Sequence, residues 1–498
     1  MSHEYEAVIG LEVHVQLLTE TKMFCRCPNR FGAEPNTLVC PVCLGYPGTL
    51  PVVNRHAIDL AARLALAIGC TVRETSVFAR KNYFYPDLPK GYQISQYDRP
   101  LAEDGLLPLT LHDKSVRVER LHLEEDAGKL LHEAPGGGKL PGQSLVDYNR
   151  CGVPLVEIVS RPDMSTAAEA QDYLQTLHQL LLYTRTSDGN MEEGSLRCDA
   201  NVSVRRKGET RLGTKAEVKN VNSFRNVGRA IEHEIKRQVE LLESGGRVMQ
   251  ETRSFDATTG VTRLMRSKEE AHDYRYFPDP DLPPLVLTPE RIEAVRAELP
   301  ELPWERRSRF AGRYELPVAD ARVLAQSLDL GDYFEAAVKA LPENSKGGAK
   351  GIANWVMTEV LRELKERKLD DLSQALPPAR LAGVVALVDA GKISHSAGKE
   401  VFAAIWESGE EPEAAVERLG LGQVSDTSQI DGWIEEVLAA NPAQVEQLRA
   451  GKAQVMGFLV GQVMKRSGGR AEPKTVQQLL RQALERETVP PSAAPVGD

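Results

Sequence analysis

Apolar and polar residues alternate with a period of two through much of the first half of the chain, which marks strands with one buried face. Over residues 9–17, Ile9, Leu11, Val13, Val15 and Leu17 fall on one side and Glu12, His14 and Gln16 on the other. Over 195–205 the split is as clean, with Leu196, Cys198, Ala200, Val202 and Val204 opposite Ser195, Arg197, Asp199, Asn201, Ser203 and Arg205. A strand over 215–219 groups Lys215, Glu217 and Lys219. Another over 153–159 carries Glu157 among apolar neighbours, and a fifth over 116–123 runs into Glu124, Glu125 and Asp126. The period changes after the Pro-rich stretch 277–284, where repeated prolines can continue neither a helix nor a central strand. Beyond it the spacing predicts helices over about 288–298, 302–312, 319–327, 331–341 and 348–367. A second break is expected at Leu376, Pro377 and Pro378, with short helical patterns recurring to about residue 485.

The polar strand faces are rich in Glu, Asp, His, Asn, Lys and Arg and short of Thr. Glu12 beside His14, and Glu157 inside an apolar run, are awkward placements unless something charged lies between them. A divalent cation held by carboxylate oxygens would satisfy them, and the Lys and Arg among them would suit phosphate oxygens. Two readings stand: a solvated antiparallel face, or a concave polar face holding magnesium and ATP. The segments 82–89 and 275–283 resemble each other, aromatics followed by Pro/Asp turns. They make rigid walls that either lid the core or flank a ligand. The Gly-rich run 135–139 reads as a hairpin loop and lacks the spacing of a phosphate-binding loop.

A chain of 498 residues exceeds one compact core. No stretch approaches the roughly 18 apolar residues of a membrane span, and the N-terminus does not read as a signal peptide, so a cytoplasmic location is expected. A net charge of −10 speaks against a whole-surface nucleic-acid binder. Residues 449–481 nonetheless carry seven Lys/Arg against one acid, Glu472, either a solvated face or a local patch. Four of the seven cysteines fall together as Cys25, Cys27, Cys40 and Cys43. In a reducing compartment that spacing reads as a closed zinc site or as four plain thiols. Cys70, Cys151 and Cys198 read as ordinary buried thiols.

The motifs Gly10-Leu-Glu-Val-His-Val-Gln-Leu17, Cys40-Pro-Val-Cys43 and Glu217-Val-Lys-Asn-Val-Asn-Ser-Phe224, with those at 81–93, 123–129, 147–157, 191–201 and 266–278, resemble one family in order. It is the GatB family, the B subunits of bacterial aspartyl/glutamyl-tRNA amidotransferases, and the likeness continues through Asn354-Trp-Val and 461–465. The resemblance implies an α+β fold. A glutamine-synthetase-like cradle with an antiparallel sheet would span 1–285, with a zinc-binding insertion at 25–43. A helical domain would follow over 286–410, a helical tail that touches tRNA over 411–488, and a disordered end over 489–498. It implies ATP-dependent phosphorylation of the side-chain carboxylate on misacylated tRNA, followed by attack of ammonia. ATP, magnesium and structural zinc would be the cofactors. The partners would be an amidase (glutaminase), the A subunit, which supplies ammonia, and a small C subunit that completes a heterotrimer. This chain carries no glutaminase signature of its own.

By motif position the resemblance carries magnesium binding to Glu12, His14, Glu125 and Glu217, and catalysis to Glu125, Glu157, Glu192 and Lys219. It carries nucleotide binding to Lys129, Arg197, Asn201 and Lys215, and tRNA contacts to Lys452, Lys465, Arg466 and Lys474. The archaeal-type E subunit is a weaker match, because nothing here is long enough for its inserted domain. A zinc-dependent tRNA-binding module would leave the charged strand faces unexplained, and a stand-alone ligase would not need the basic tail.

Overall fold

A computed structural model describes residues 4–131, 138, 140–267, 273–343, 345–369, 371–423, 427–450 and 452–486. Apart from Gly138, the expected 135–139 hairpin lies outside the described residues, as does the expected disordered end over 489–498. The chain divides into two compact units, Met1–Glu305 and Arg306–Asp498.

The first unit is built on a nine-stranded sheet whose central strand is Tyr5–Gln16. On one side of it lie Pro154–Ser160, Ser115–Glu125, Ala102–Pro108 and Thr71–Val72; on the other lie Leu196–Arg206, Ala216–Val221, Glu251–Asp256 and Val261–Ser267. Neighbours run antiparallel except Ala216–Val221 with Glu251–Asp256, which are parallel. A parallel pair needs a crossover, and helix Phe224–Glu243 lies between the two in sequence. All five expected strands form. Lys215 falls just before its strand, which begins at Ala216.

Period-two alternation sends Ile9, Leu11, Val13 and Val15 into the core, each no more than 1% exposed. They share that core with residues of three helices, Arg55–Ala67, Ala167–Tyr183 and Phe224–Glu243. The strand-centred reading of the first half does not foresee these helices. Each begins at a side-chain cap: Asn54 accepts from the N–H groups of His56 and Ala57, Thr166 from Glu169, and Ser223 from Asn226. With helices packed on the apolar face, the opposite face is left for chemistry.

The Pro-rich stretch bends the chain without ending this unit. Phe277–Pro278 joins a small sheet with Phe78–Asn82 and Tyr92–Gln96, and Val295 of helix Pro289–Ala297 is buried in the same core. The second unit is helical. Helices from Val318–Leu324 to Pro412–Leu419 close around Phe334, Val360, Leu381 and Phe402, and a separate core of Ile430, Ile434, Leu459, Val463 and Leu480 holds the last helices. The expected 348–367 helix forms with one π turn at Val356–Val360.

Candidate active-site cleft

At the centre of the open face, His14 stands opposite Glu157 on one neighbouring strand and Arg197 on the other, and Glu157 stands opposite His122. Directly opposed side chains on one face of a sheet are close neighbours, so this register makes a row Arg197–His14–Glu157–His122. Glu124, two residues beyond His122 on the same face, turns the row into a cluster. One ligand atom each from His14, Glu124 and Glu157 lies within 4.8 Å of the others. His14 Nδ1 is 3.5 Å from Glu124 Oε1 and 3.9 Å from Glu157 Oε2, and His122 Nε2 is 3.5 Å from Glu157 Oε2.

Burial alone would raise the Glu124 pKa. The imidazoles of His122 and His14 and the Lys81 ammonium overcome it and hold the carboxyl well below the usual carboxylate range. His14 is the converse: burial pulls it down, but Glu124 and Glu157 outweigh that and raise it above the ordinary imidazole value. His14 Nδ1 and Arg197 Nε are buried with no hydrogen-bond partner among the described residues. Such groups call for a ligand.

The same face continues toward the sheet edge. Asn201 Nδ2 donates to Glu12 Oε1 at 2.8 Å. Lys219 pairs with Asp199 and, at 2.9 Å, with Glu217 Oε1, while Thr252 Oγ1 donates to Glu217 Oε2 at 2.8 Å. Asp126 accepts from Gln16 Nε2 at 2.8 Å and from Arg197 Nη2 at 2.7 Å. A cleft of about 620 Å³ is lined by His14, Lys81, Glu124, Arg150, Arg197 and Lys219, among others.

The expected residues divide. His14, Glu157, Arg197 and Lys219 come together here, with Glu12, Asn201 and Glu217 farther along the same face. Glu125 does not join them, and Glu124 stands beside His14 in its place. The reason is parity: Glu125 points to the other side of its strand, where it pairs with the buried Lys90 and accepts from the Ile94 N–H at 3.0 Å. Glu192, in a turn, and Lys129 and Lys215 are exposed and do not line the cleft. Sequence reasoning missed Glu124, His122 and Lys81 as site residues. A signal for the first two was present: apolar positions step from Val116 and Val118 to Leu121 and Leu123, a one-residue offset that puts His122 and Glu124 on the polar face. The structure has a register shift there, opposite Val159 and Ser160.

The four clustered cysteines converge, one Sγ each within 4.8 Å of the others. Cys40 and Cys43 sulfurs are 3.9 Å apart, close to the ~3.8 Å expected of two thiolates bound tetrahedrally at ~2.3 Å to one ion. The Cys25 thiol, by donating to Cys43, outweighs burial, and with the Cys40 N–H and the Lys22 ammonium holds Cys43 down to about 4. Lys22 is wholly buried and donates to Cys43 Sγ at 3.7 Å and to the Tyr148 carbonyl at 3.4 Å.

The two look-alike aromatic segments meet. The Asn82 side chain donates to the Tyr274 and Arg275 carbonyls at 3.1 and 2.8 Å, and Tyr83 and Tyr276 each pack edge-to-face on Tyr274. Tyr83 lines the cleft and Phe84 is 88% exposed, so this wall flanks the cleft instead of lidding the core. In the second unit, Lys465 and Arg466 end helix Val455–Arg466 and line a hollow of about 840 Å³ with Asn441 and Glu436, the latter paired to Arg466 at 2.7 Å. Lys452 and Lys474 are exposed and outside that hollow.

Among the described residues no helix is long and apolar enough to cross a membrane. Residues 7–293 match the family model described as the GatB/GatE catalytic domain, and 332–484 match that of the GatB domain. The B subunit of the aspartyl/glutamyl-tRNA(Asn/Gln) amidotransferase of Geobacter sulfurreducens is 54% identical over 483 residues, covering 96% of this chain and 99% of the relative. Proteins of the same name from Persephonella marina and Chlorobaculum tepidum are each 52% identical over 483 residues, covering 97% of this chain and 100% and 99% of themselves. Matched along almost its whole length at that identity, the chain belongs to the GatB family, the B subunits of aspartyl/glutamyl-tRNA(Asn/Gln) amidotransferases.

Proposed function

We propose that this chain is the cytoplasmic amidotransferase subunit that activates the side-chain carboxylate of glutamate on tRNA-Gln, of aspartate on tRNA-Asn, or of both. ATP is the phosphoryl donor, and ammonia from a glutaminase partner completes the amide. The observation that carries this reading is the His14–Glu124–Glu157 cluster, its two carboxylates buried, with His14, Glu124, Lys81 and Arg197 lining one cleft. Two carboxylates and an imidazole suit a hard divalent cation held chiefly through oxygen. Glu124 and Glu157, with His14, would hold magnesium, which when bound neutralises triphosphate charge.

The protein's own groups have the remaining work. Lys81, Arg197 and Lys219 offset the charge of two anions that must approach, the substrate carboxylate and the γ-phosphate. A carboxylate oxygen bonds to the γ-phosphorus as the bond to ADP breaks. Ammonia then adds to the acyl carbon, phosphate leaves with its bonding electrons, and the nitrogen gives up a proton. The departing phosphate would take that proton. Cys25, Cys27, Cys40 and Cys43 would hold a structural zinc that ties down the 25–43 insertion. The glutaminase A subunit and the small C subunit would complete a heterotrimer, and Lys452, Lys465, Arg466 and Lys474 would touch tRNA phosphates.

The test is phosphate release by the assembled complex with and without misacylated tRNA. Release should depend on that tRNA and disappear in Glu157→Gln. Release that ignores the tRNA, or survives the substitution, would sink the proposal.

A further inference from the structure

The wall beside the cleft has a use that the phosphoryl chemistry does not draw on. Its rings form a chain: Tyr85 to Tyr83 at 6.3 Å between centroids, Tyr83 to Tyr274 at 6.1 Å, Tyr274 to Tyr276 at 6.0 Å, and Tyr276 stacked on Tyr97 at 4.3 Å. Three rings of this region face water, with Phe84 88%, Tyr97 56% and Tyr85 52% exposed. Cations accompany them. The Lys81 ammonium sits 4.9 Å from the Tyr274 ring centre. Arg275, between the two inner tyrosines in sequence, is 82% exposed in a surface pair with the equally open Asp273 at 3.5 Å, on a backbone held at φ 44°. That left-handed conformation is uncommon for a non-glycine residue.

Phe84 is displayed beside the cleft, next to a loop whose backbone is tied down. It lies between Tyr83, which lines the cleft, and the 85–91 loop, where Asp87 lines it too. The loop is tied by Leu88 N–H to the Tyr85 carbonyl at 3.0 Å, Gly128 N–H to the Asp87 carbonyl at 2.8 Å, and Tyr148 O–H to the Pro86 carbonyl at 2.8 Å. Gly91, at φ 76°, leaves room for the ring, since a Cβ there would meet Phe84 Cε1 at 3.3 Å. The ring itself stays almost wholly open to solvent.

Exposed aromatic faces interleaved with cations are what an unpaired nucleotide needs, stacking for the base and charge for the phosphate. Resting on the function proposed above, the reacting carboxylate is separated from the terminal ribose of its tRNA by one ester-linked amino acid. When that carboxylate reaches the His14 cluster, the terminal base must sit at the cleft's border. We infer that Phe84 is the stacking platform for the unpaired 3′-terminal base of the aminoacyl-tRNA, with Arg275 of the same wall taking the adjoining phosphate.

The experiment measures affinity of the assembled complex for aspartyl- or glutamyl-tRNA, and for the same tRNA lacking its 3′-terminal nucleotide. Phe84→Ala should weaken binding of the intact tRNA by about 5- to 150-fold, the range for losing one base–aromatic stack. Phe84→Trp should bind as wild type and Phe84→Leu should not. With the shortened tRNA, wild type and Phe84→Ala should bind equally. Binding of intact tRNA unchanged within twofold in Phe84→Ala would overturn the inference. So would a rise in the KM for ATP with tRNA affinity unchanged, which would assign the ring to the adenine of ATP. Tyr97→Ala, which removes the ring stacked on Tyr276, should leave the difference between intact and shortened tRNA in place. Failure of the proposed phosphoryl chemistry would show instead as phosphate release that ignores tRNA, with the Phe84 effect on binding still measurable.

Discussion

The two faces of the nine-stranded sheet come from the same strands, yet they behave as different materials. On the helix-covered face Ile9, Leu11, Val13 and Val15 are closed off from water and interchangeable with other apolar groups of like volume. On the open face Glu12, His14 and Gln16 each have a specific cross-strand neighbour, and little can be exchanged. His14 is raised and Glu124 lowered in pKa because each supplies what burial has taken from the other. One face makes the scaffold stable; the other is held in place by it and carries charge that a bare sheet would not gather.

The largest effect should come from the open face. Glu124→Gln leaves the shape of the site but removes the charge shared by His14, His122 and Lys81, and tRNA-dependent phosphate release should fall about 10³-fold. Affinity for tRNA, measured on the same preparation, should hold. A fall of less than tenfold would mean that Glu124 is a structural acid.

Leu174→Ala probes the covered face. Leu174 is fully buried on helix Ala167–Tyr183, and its truncation should lower unfolding free energy by about 2–5 kcal/mol. Phosphate release well below the melting temperature should not change. If it fell with stability, the two faces would not be separable.

Arg197→Lys sharpens the contrast within the cleft. A lysine keeps the charge but loses the forked geometry that holds Asp126 and leaves Nε for an anion. The KM for ATP should rise about tenfold, while Glu124 chemistry persists as an unchanged pH profile.

The smallest effect is on the covered side. His178 packs edge-on against Phe224 at 5.4 Å, and burial, despite the nearby Asp188, lowers its pKa below the ordinary 6.5. An imidazole lowered in the folded state gives stability that is present above about 6.5 and lost as pH falls through the folded value. The denaturant midpoint should therefore drop between about pH 7.5 and pH 5.5, and by less in His178→Gln. Identical pH dependence in both would remove His178 from the account.

Much of this was legible in the chain. Alternation alone assigned the faces of residues 9–17 and 195–205, because side chains of a strand must point to opposite sides whatever they later meet. Cysteine spacing announced the thiol cluster, since two short pairs need only a turn each to converge. Parity also held the answer to Glu124 against Glu125, but it was hidden by the irregularity after Val118, where one extra residue reverses the count. The look-alike aromatic segments could be seen as walls, though not as walls of the same cleft.

The sequence by itself determined which residues share a face and which thiols lie close along the chain, because both follow from local backbone geometry. Only the tertiary structure decided that the three helices would cover the apolar face, that His14, Glu124 and Glu157 would converge, and that Tyr83 would meet Tyr274. His14 and Glu124, and likewise Tyr83 and Tyr274, lie more than a hundred residues apart in the chain. Their register is set by burying the apolar face, and the polar residues are carried to their positions by that burial.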